Sequence, residues 1–451
     1  MRKALALVLA LVMVFALCAC GQTTAPASPE SPAAPAAPAA PAKDAKEEKA
    51  SKPVTITISN WLEAEEATAA IFKEMLDDFM AANPDIKVES QAIPFSQYKD
   101  QVLIAATAGN AADVIMGNSV MMCAFNGAGA LAQLDDLASK ELVSDIYPGY
   151  LSGTTYSGTL RAISWAPHPI VIYYNKDLFA KAGLDPEQAP KTWEEMTAAA
   201  RAVAALGTDE SGNSIYGLGI ATGKISNTGT MFNGILYAYG GQFVDENGLV
   251  TVNIPENIEA LEYIQTLVAE KVIPAGLNTA DLRGVFAAGQ MGIIFDGDMG
   301  RNAYRQSSGL GEAFDEKLGV AIVPVGVTGA SETIYTEHQL GVYANSEHKE
   351  AAMKLIEYLV GKEAMLKYHA SNGVLSARES IATLPEMNED AFMEVFNAQS
   401  ETARPLPATN AMFDNAMNEM NKAIERICLN NEDVATVAAE TETIIRTMYG
   451  Q

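Results

Sequence analysis

Cysteine is scarce in this chain, with four in 451 residues. They stand at positions 18, 20, 123 and 428, with no C-x-x-C spacing and no His/Cys cluster, which argues against a zinc site of the usual kind. Positive charge is also short. Lys plus Arg number 30 against 56 Asp plus Glu, a formal net charge of −26, and no basic stretch reverses the balance locally. Such a surface argues against nucleic acid and against an anionic membrane face as partners. Common catalytic signatures are missing as well: there is no G-x-S-x-G elbow, Walker loop or H-E-x-x-H. Asp209-x-Ser211-x-Asn213 opens like a calcium loop, but the twelfth position is Ile220 rather than Glu, so it reads as a hairpin turn. No metal or cofactor is expected. Fifty-six acids still offer carboxylate pairs, so a glycosidase dyad stays open. What is present is ordinary globular material, 49% hydrophobic and 19% charged. At roughly 100–200 residues per domain, the length asks for two domains.

The N-terminal residues stand apart from that core. Arg2 and Lys3 precede an uncharged apolar stretch from Ala4 to Leu17. At about fourteen residues it falls short of the roughly twenty that a membrane-spanning helix needs, and it fits a signal-peptide core. It ends in Leu17-Cys18-Ala19-Cys20-Gly21, which resembles the lipobox of bacterial lipoproteins, with Cys18 where Ala or Ser is more usual. The resemblance implies a signal peptide over 1–19, cleavage before Cys20, and a lipid on Cys20 that ties the protein to the outer face of the cell membrane. The alternative is an ordinary secretory signal with incidental cysteines. Pro26, Pro29, Pro32, Pro35, Pro38 and Pro41 recur at every third residue, along one edge of a polyproline II helix. With the mixed charges of Lys43 to Lys52, residues 20–52 read as a tether. Cys123 and Cys428 can form one disulfide or remain two buried thiols, and the second reading is favoured.

From residue 53 the pattern is α/β. Val54 to Ser59 alternates β-branched residues and predicts a strand, followed by a helix from about Glu65 to Ala82 that Asn83-Pro84 ends. Ile86 to Ala92 and Asp113 to Met116 predict further strands, with a helix from Tyr98 to Ala108 between them. This order implies a mostly parallel sheet, with ligand beyond the carboxyl ends of its strands. Pro169 to Tyr174, Gly217 to Ile220, Met291 to Phe295 and Gly319 to Pro324 predict strands of a second unit. Thr192 and Glu195 form a capping box. The last hundred residues read as mainly helical.

Several short segments share a known order and spacing. Among them are Phe79-Met-Ala-Ala-Asn-Pro84, Gly129-Ala-Leu-Ala-Gln-Leu134, Tyr173-Tyr-Asn-Lys-Asp-Leu-Phe179, Lys191-Thr-Trp-Glu-Glu195, Tyr239-Gly-Gly-Gln-Phe243 and Phe286-Ala-Ala-Gly-Gln-Met291. Together they resemble the extracellular solute-binding proteins of carbohydrate ABC importers, the maltose-binding-like family. The resemblance implies a two-lobed α/β fold, discontinuous in sequence, with a ligand cleft between the lobes. Residues 53–166 and 319–360 would form the first lobe, and 167–318 and 361–451 the second. Crossovers would fall near Ala166–His168, Lys317–Gly319 and Val360–Gly361. It implies a non-enzymatic monomeric receptor that captures a sugar or oligosaccharide and passes it to an ABC permease. A secreted glycan-cleaving enzyme is the alternative, as is the same fold with a polyol phosphate or polyamine. A phosphate would want an Arg cluster, but nothing in the sequence gathers Arg161, Arg283, Arg301 and Arg305.

A sugar needs rings for its apolar faces and carboxylates or amides for its hydroxyl edge. Trp61, just past the first strand, is the candidate stacking ring. Asn118 and Ser119 follow the Asp113–Met116 strand. His168, between two prolines, faces the cleft by resemblance. Asp296 and Asp298 lie in an Asp-Gly-Asp that is either a turn or an acceptor of sugar hydroxyls. Thr230, Asn233 and Phe413 hold contact positions by resemblance, although a Phe at helical spacing is equally a core residue. Trp165 reads as hinge packing or ligand contact. Trp193 and Tyr174 read as packing.

Overall fold

The computed structural model describes residues 53–451, apart from 224, 225, 246 and 409. The expected signal peptide, Cys20 and the tether lie outside the described residues. The described strands are β1 (Val54–Asn60), β2 (Ile86–Ala92), β3 (Val114–Gly117), the two-residue β4 (Thr155–Tyr156) and β5 (Thr159–Leu160), β6 (Ile163–Pro169), β7 (Val171–Asn175), β8 (Tyr216–Gly219), β9 (Met291–Asp296), β10 (Leu318–Ala321), β11 (Thr333–Val342) and β12 (Ala403–Arg404). They build two main sheets. One has the order β12-β11-β3-β1-β2, with β6 also paired to β11, and the other runs β10-β7-β9-β8.

The alternation in β1 works as expected. Ile56 and Ile58 are fully buried, and the strand pairs in parallel with both β2 and β3. The helix Glu66–Ala82 covers this sheet through Phe72, Met75, Leu76 and Phe79. It stops at Asn83, whose amide donates to the Phe79 carbonyl at 2.9 Å. The sheets are mixed rather than mostly parallel. β11 is antiparallel to β3 and β6, while β7 is antiparallel to β9 and β10. The physical reason is the crossover, since a strand returning from the other lobe enters the sheet from its opposite end.

Sheet membership also moves two expected boundaries. At the first passage between sheets, His168 and Pro169 pair with β11 and Val171 already pairs with β9. Leu318–Ala321 pairs with β7, so residues 319–321 belong to the second sheet and the second crossover is the segment 322–332. The helix Lys362–Asn372 packs with the first lobe, because Ala364, Met365 and Tyr368 join its core cluster. The last passage between lobes therefore comes after residue 372 rather than at 360. Cys123 and Cys428 are both free and buried. Asp209 is the turn residue expected, accepting from the Ser211 and Asn213 amides at 2.9 and 2.8 Å. Those bonds, with the Asn213 side chain foremost, hold its carboxyl down at about 2. Thr192 caps its helix by accepting from Glu195 N at 3.1 Å, but Glu195 reaches back one residue further, to Lys191 N at 2.7 Å. Trp193 packs locally, against Tyr239, Tyr263 and Phe295.

The lobes also touch away from the crossovers. Lys99 of the first lobe makes an ion pair with Asp414 of the second. Cys123 Sγ lies 3.1 Å from the Asn410 carbonyl.

Candidate ligand-binding cleft

Three of the expected site residues come together where the two sheets meet. Trp61 follows β1, His168 ends β6, and Asp298 follows β9 and caps the helix Met299–Ser308. Asp298 Oδ1 lies 2.8 Å from His168 Nδ1 and accepts from Met299 N at 2.8 Å. A second histidine, His338 of β11, lies with its ring 4.8 Å from that of His168 and 5.3 Å from that of Trp61. Trp165 of β6 is 6.3 Å from His338 and 5.3 Å from Tyr368. The chain of contacts therefore runs Trp61, His338, then Trp165 with Tyr368 on one side and His168 with Asp298 on the other.

What marks this cluster is its polar atoms. Trp165 Nε1, Tyr368 Oη, His168 Nε2, His338 Nδ1 and Asp298 Oδ2 are all closed from solvent and have no hydrogen-bond partner among the described residues. Leaving one such atom unpaired costs about 1–3 kcal/mol, and five in contact are far more than an ordinary core tolerates. Two are donors: the indole N–H and the phenol, which burial first, and then the Asp298 and Glu65 charges, hold well above the usual tyrosine range. The free Asp298 oxygen is an acceptor. Burial, and secondarily His168, hold His338 well below the usual imidazole range, so it is neutral. The set thus wants a partner that both donates and accepts.

Trp61 differs from the free stacking platform expected. It is 3% exposed, with Phe95, Tyr98 and His338 in edge contact at 5.0–5.3 Å. The remaining expected residues have partners elsewhere. Asp296 is saturated by Arg283 Nε and Nη2 at 2.7 and 2.6 Å, Tyr304 Oη at 2.7 Å and Gly297 N at 2.9 Å. A Cβ on Gly300 would stand 2.7 Å from its Oδ2, so a side chain there would push Asp296 against its partners. Asn118 caps the helix Ser119–Gly127 by accepting from Met121 N at 2.9 Å. Ser119 donates to Glu337 at 3.1 Å. Asn233 donates to the Thr230 carbonyl at 3.2 Å and to Met417 Sδ at 3.6 Å. Phe413 is fully buried against Phe243.

Sequence reasoning missed Glu337, His338 and Tyr368. Glu337 and His338 sit on β11, whose run Thr-Ile-Tyr-Thr-Glu-His-Gln is too polar to read as a buried strand. Glu337 is 1% exposed and accepts from Ser164, Gln339 and Ser119. Burial pushes its carboxyl up to about 7, against the pull of those three donors and of His168.

Two α/β lobes thus meet at a buried, ring-lined cluster of polar groups near strand ends. Residues 63–366 match the family described as bacterial extracellular solute-binding protein. The chain belongs to that family. It is a family of solute-binding proteins rather than of enzymes, and its setting is extracellular. A putative binding protein of Brucella abortus is 26% identical over 348 residues, 76% of this chain and 82% of that one. A probable ABC transporter-binding protein of Deinococcus radiodurans is 28% identical over 294 residues, 62% of this chain and 66% of that one. Among solved structures, the cyclic α-maltosyl-1,6-maltose binding protein of Arthrobacter globiformis superposes with a TM-score of 0.76 at 23% identity, covering 88% of this chain and 98% of that one. As a solute-binding protein, the chain has its two lobes where a cleft ligand would bridge them. No helix among the described residues is long and apolar enough to cross a membrane.

Proposed function

We propose that this solute-binding protein captures a neutral sugar in the cleft and delivers it to an ABC permease, held at the membrane by a lipid on Cys20. The observation that carries the ligand class is the buried set of unpaired donors and acceptors among aromatic rings. A hydroxyl both donates and accepts, and a pyranose face suits an indole or imidazole ring. The cyclic α-maltosyl-1,6-maltose for which the Arthrobacter protein is named is of this chemistry. A phosphate ester is disfavoured by the arginines. Arg283 is spent on Asp296, Arg301 and Arg305 on Asp315, and Arg161 precedes β6 at the end opposite to His168, away from the cleft. The likeness to an ABC transporter-binding protein supports the permease as partner.

A thermal-shift screen of the purified protein against a sugar panel tests the ligand class, because a ligand bound only by the folded state raises the melting temperature. A shift with glycerol phosphates and none with any sugar would reverse the assignment. The anchor has its own test. Cys20→Ala is expected to release the protein into the soluble fraction of cells, and continued membrane association of that variant would exclude the lipobox reading.

A further inference from the structure

Away from the cleft, one arginine breaks the pattern of the others. Every arginine among the described residues except Arg161 is ion-paired with a carboxylate. Arg161 precedes β6 at the end opposite to His168. Its Nη1 holds the Leu131 carbonyl, and its Nε is closed from solvent without a partner. Lys349 lines the same pocket as Arg161, with Nζ donating to the Ser346 carbonyl at 3.0 Å and no carboxylate paired with it among the described residues. Both line an open surface pocket of about 450 Å³, together with Asn126, Leu131, Gln133 and Ala344. Its floor is rigid. Leu131 bridges Tyr343, Ala132 N donates to the Val342 carbonyl, and Ala344 N donates to the Ala130 carbonyl, both at 2.8 Å.

We propose that this pocket is a second binding site, for a small oxyanion bearing phosphate or carboxylate groups. In a chain of net charge −26, two cations of one pocket left without an acid are a local exception to the field of the whole molecule. Arg161 keeps four of its five N–H donors for a ligand, in the planar fork that matches an oxyanion's paired oxygens. The buried Nε regains a partner only if one enters the pocket. The Asn126 and Gln133 amides add neutral donors at the rim. At roughly 30 Å³ per water molecule, the volume admits a small organic acid rather than a single ion alone. The site is separate from the sugar cleft. Four residues of extended chain, Gln339 to Val342, lie between His338 and Tyr343, a rise of roughly 16 Å over five residue steps.

The test is calorimetric titration of the purified protein with inorganic phosphate and with citrate, at an ionic strength held constant by chloride. Saturable binding is expected. Arg161→Gln and Lys349→Gln should each weaken it at least about tenfold, the loss of one charge-assisted contact. Arg161→Gln also frees the Leu131 carbonyl and can unfold the site, so Lys349→Gln, with its melting curve, carries the test if Arg161→Gln fails to fold. Sugar binding should be unchanged in Lys349→Gln, which separates this site from the cleft. Heat no greater than that of chloride for both anions, or affinities unchanged in Lys349→Gln, would overturn the proposal. Binding of a decaglutamate peptide where phosphate and citrate do not bind would give the pocket to a partner's acidic segment, and would overturn the small-ligand assignment.

Discussion

Asp298→Asn is expected to weaken sugar binding by at least about tenfold while leaving the fold intact. The two carboxylate oxygens have separate tasks. Oδ1 holds His168 Nδ1 and Met299 N, both at 2.8 Å, and Oδ2 is buried with no protein partner. An asparagine can keep its carbonyl on the first two groups. Its amide then replaces an acceptor by a donor at the position left for the ligand. A hydroxyl that donated to Oδ2 now meets an N–H, and a lost charge-assisted bond costs roughly 1.5–3 kcal/mol, a factor of about 10 to 150. Asp298→Ala should cost at least as much, because it also releases His168. Trp61 answers to a different balance. With three rings around its edge it is a core residue as well as a wall of the cleft, so Trp61→Ala should lower stability by about 3–5 kcal/mol together with affinity. Trp61→Phe keeps most of the packing and is the cleaner variant. Calorimetric titration with a sugar found in the screen decides the matter. Full affinity in Asp298→Asn would remove Asp298 Oδ2 from the site.

The contrast between Asp296 and Asp298 shows where sequence reasoning stops. In Asp296-Gly297-Asp298 the two carboxylates are chemically alike, and both follow a buried strand. Only the fold brings Arg283, thirteen residues earlier, onto Asp296 through two bonds, and leaves Asp298 facing the crossovers. No local pattern announces that difference. The elements that were legible are those with a strong period. β1 alternates, the helix Glu66–Ala82 repeats its apolar face, and Asn83-Pro84 terminates it. The elements that were missed are those whose burial opposes their polarity. β11 carries Glu337, His338 and Gln339 within a run that is buried at nearly every position. It tolerates them because Ser119 and Ser164 satisfy the carboxylate and because the other face of the strand lines the cleft. The available signal was the short run Thr333-Ile-Tyr-Thr336, β-branched and aromatic throughout, in a segment without proline. Helix Lys362–Asn372 was likewise given to the wrong lobe, since an apolar Met365 and Tyr368 say that a face is buried without saying against what.

The same strand yields the second large effect, in stability rather than affinity. Glu337 is surrounded by Ser164, Gln339 and Ser119 as donors, by His168 from β6, and by the phenols of Tyr150, Tyr156 and Tyr335, with no ion pair to Lys or Arg among the described residues. Its carboxyl is held up at about 7 against an ordinary value of 4.5. The folded state therefore binds a proton that the unfolded chain has already released in this interval. Stability from this group is complete below about pH 4.5, falls as the pH rises toward 7, and is lost above that, by an amount on the order of 3 kcal/mol. Glu337→Gln resembles the protonated acid: its carbonyl oxygen can accept from Ser119 and Gln339 in place of Oε1, and its amide can donate to the Ser164 hydroxyl in place of Oε2. It should match the wild type near pH 4.5 and exceed it by a comparable amount at pH 8. Denaturant melts of both proteins from pH 4.5 to 8 give the difference curve, in which the contributions of the other carboxylates cancel. A difference that is flat across this window would mean that Glu337 is ionised in the fold at no cost, and that the serines and His168 compensate its burial fully.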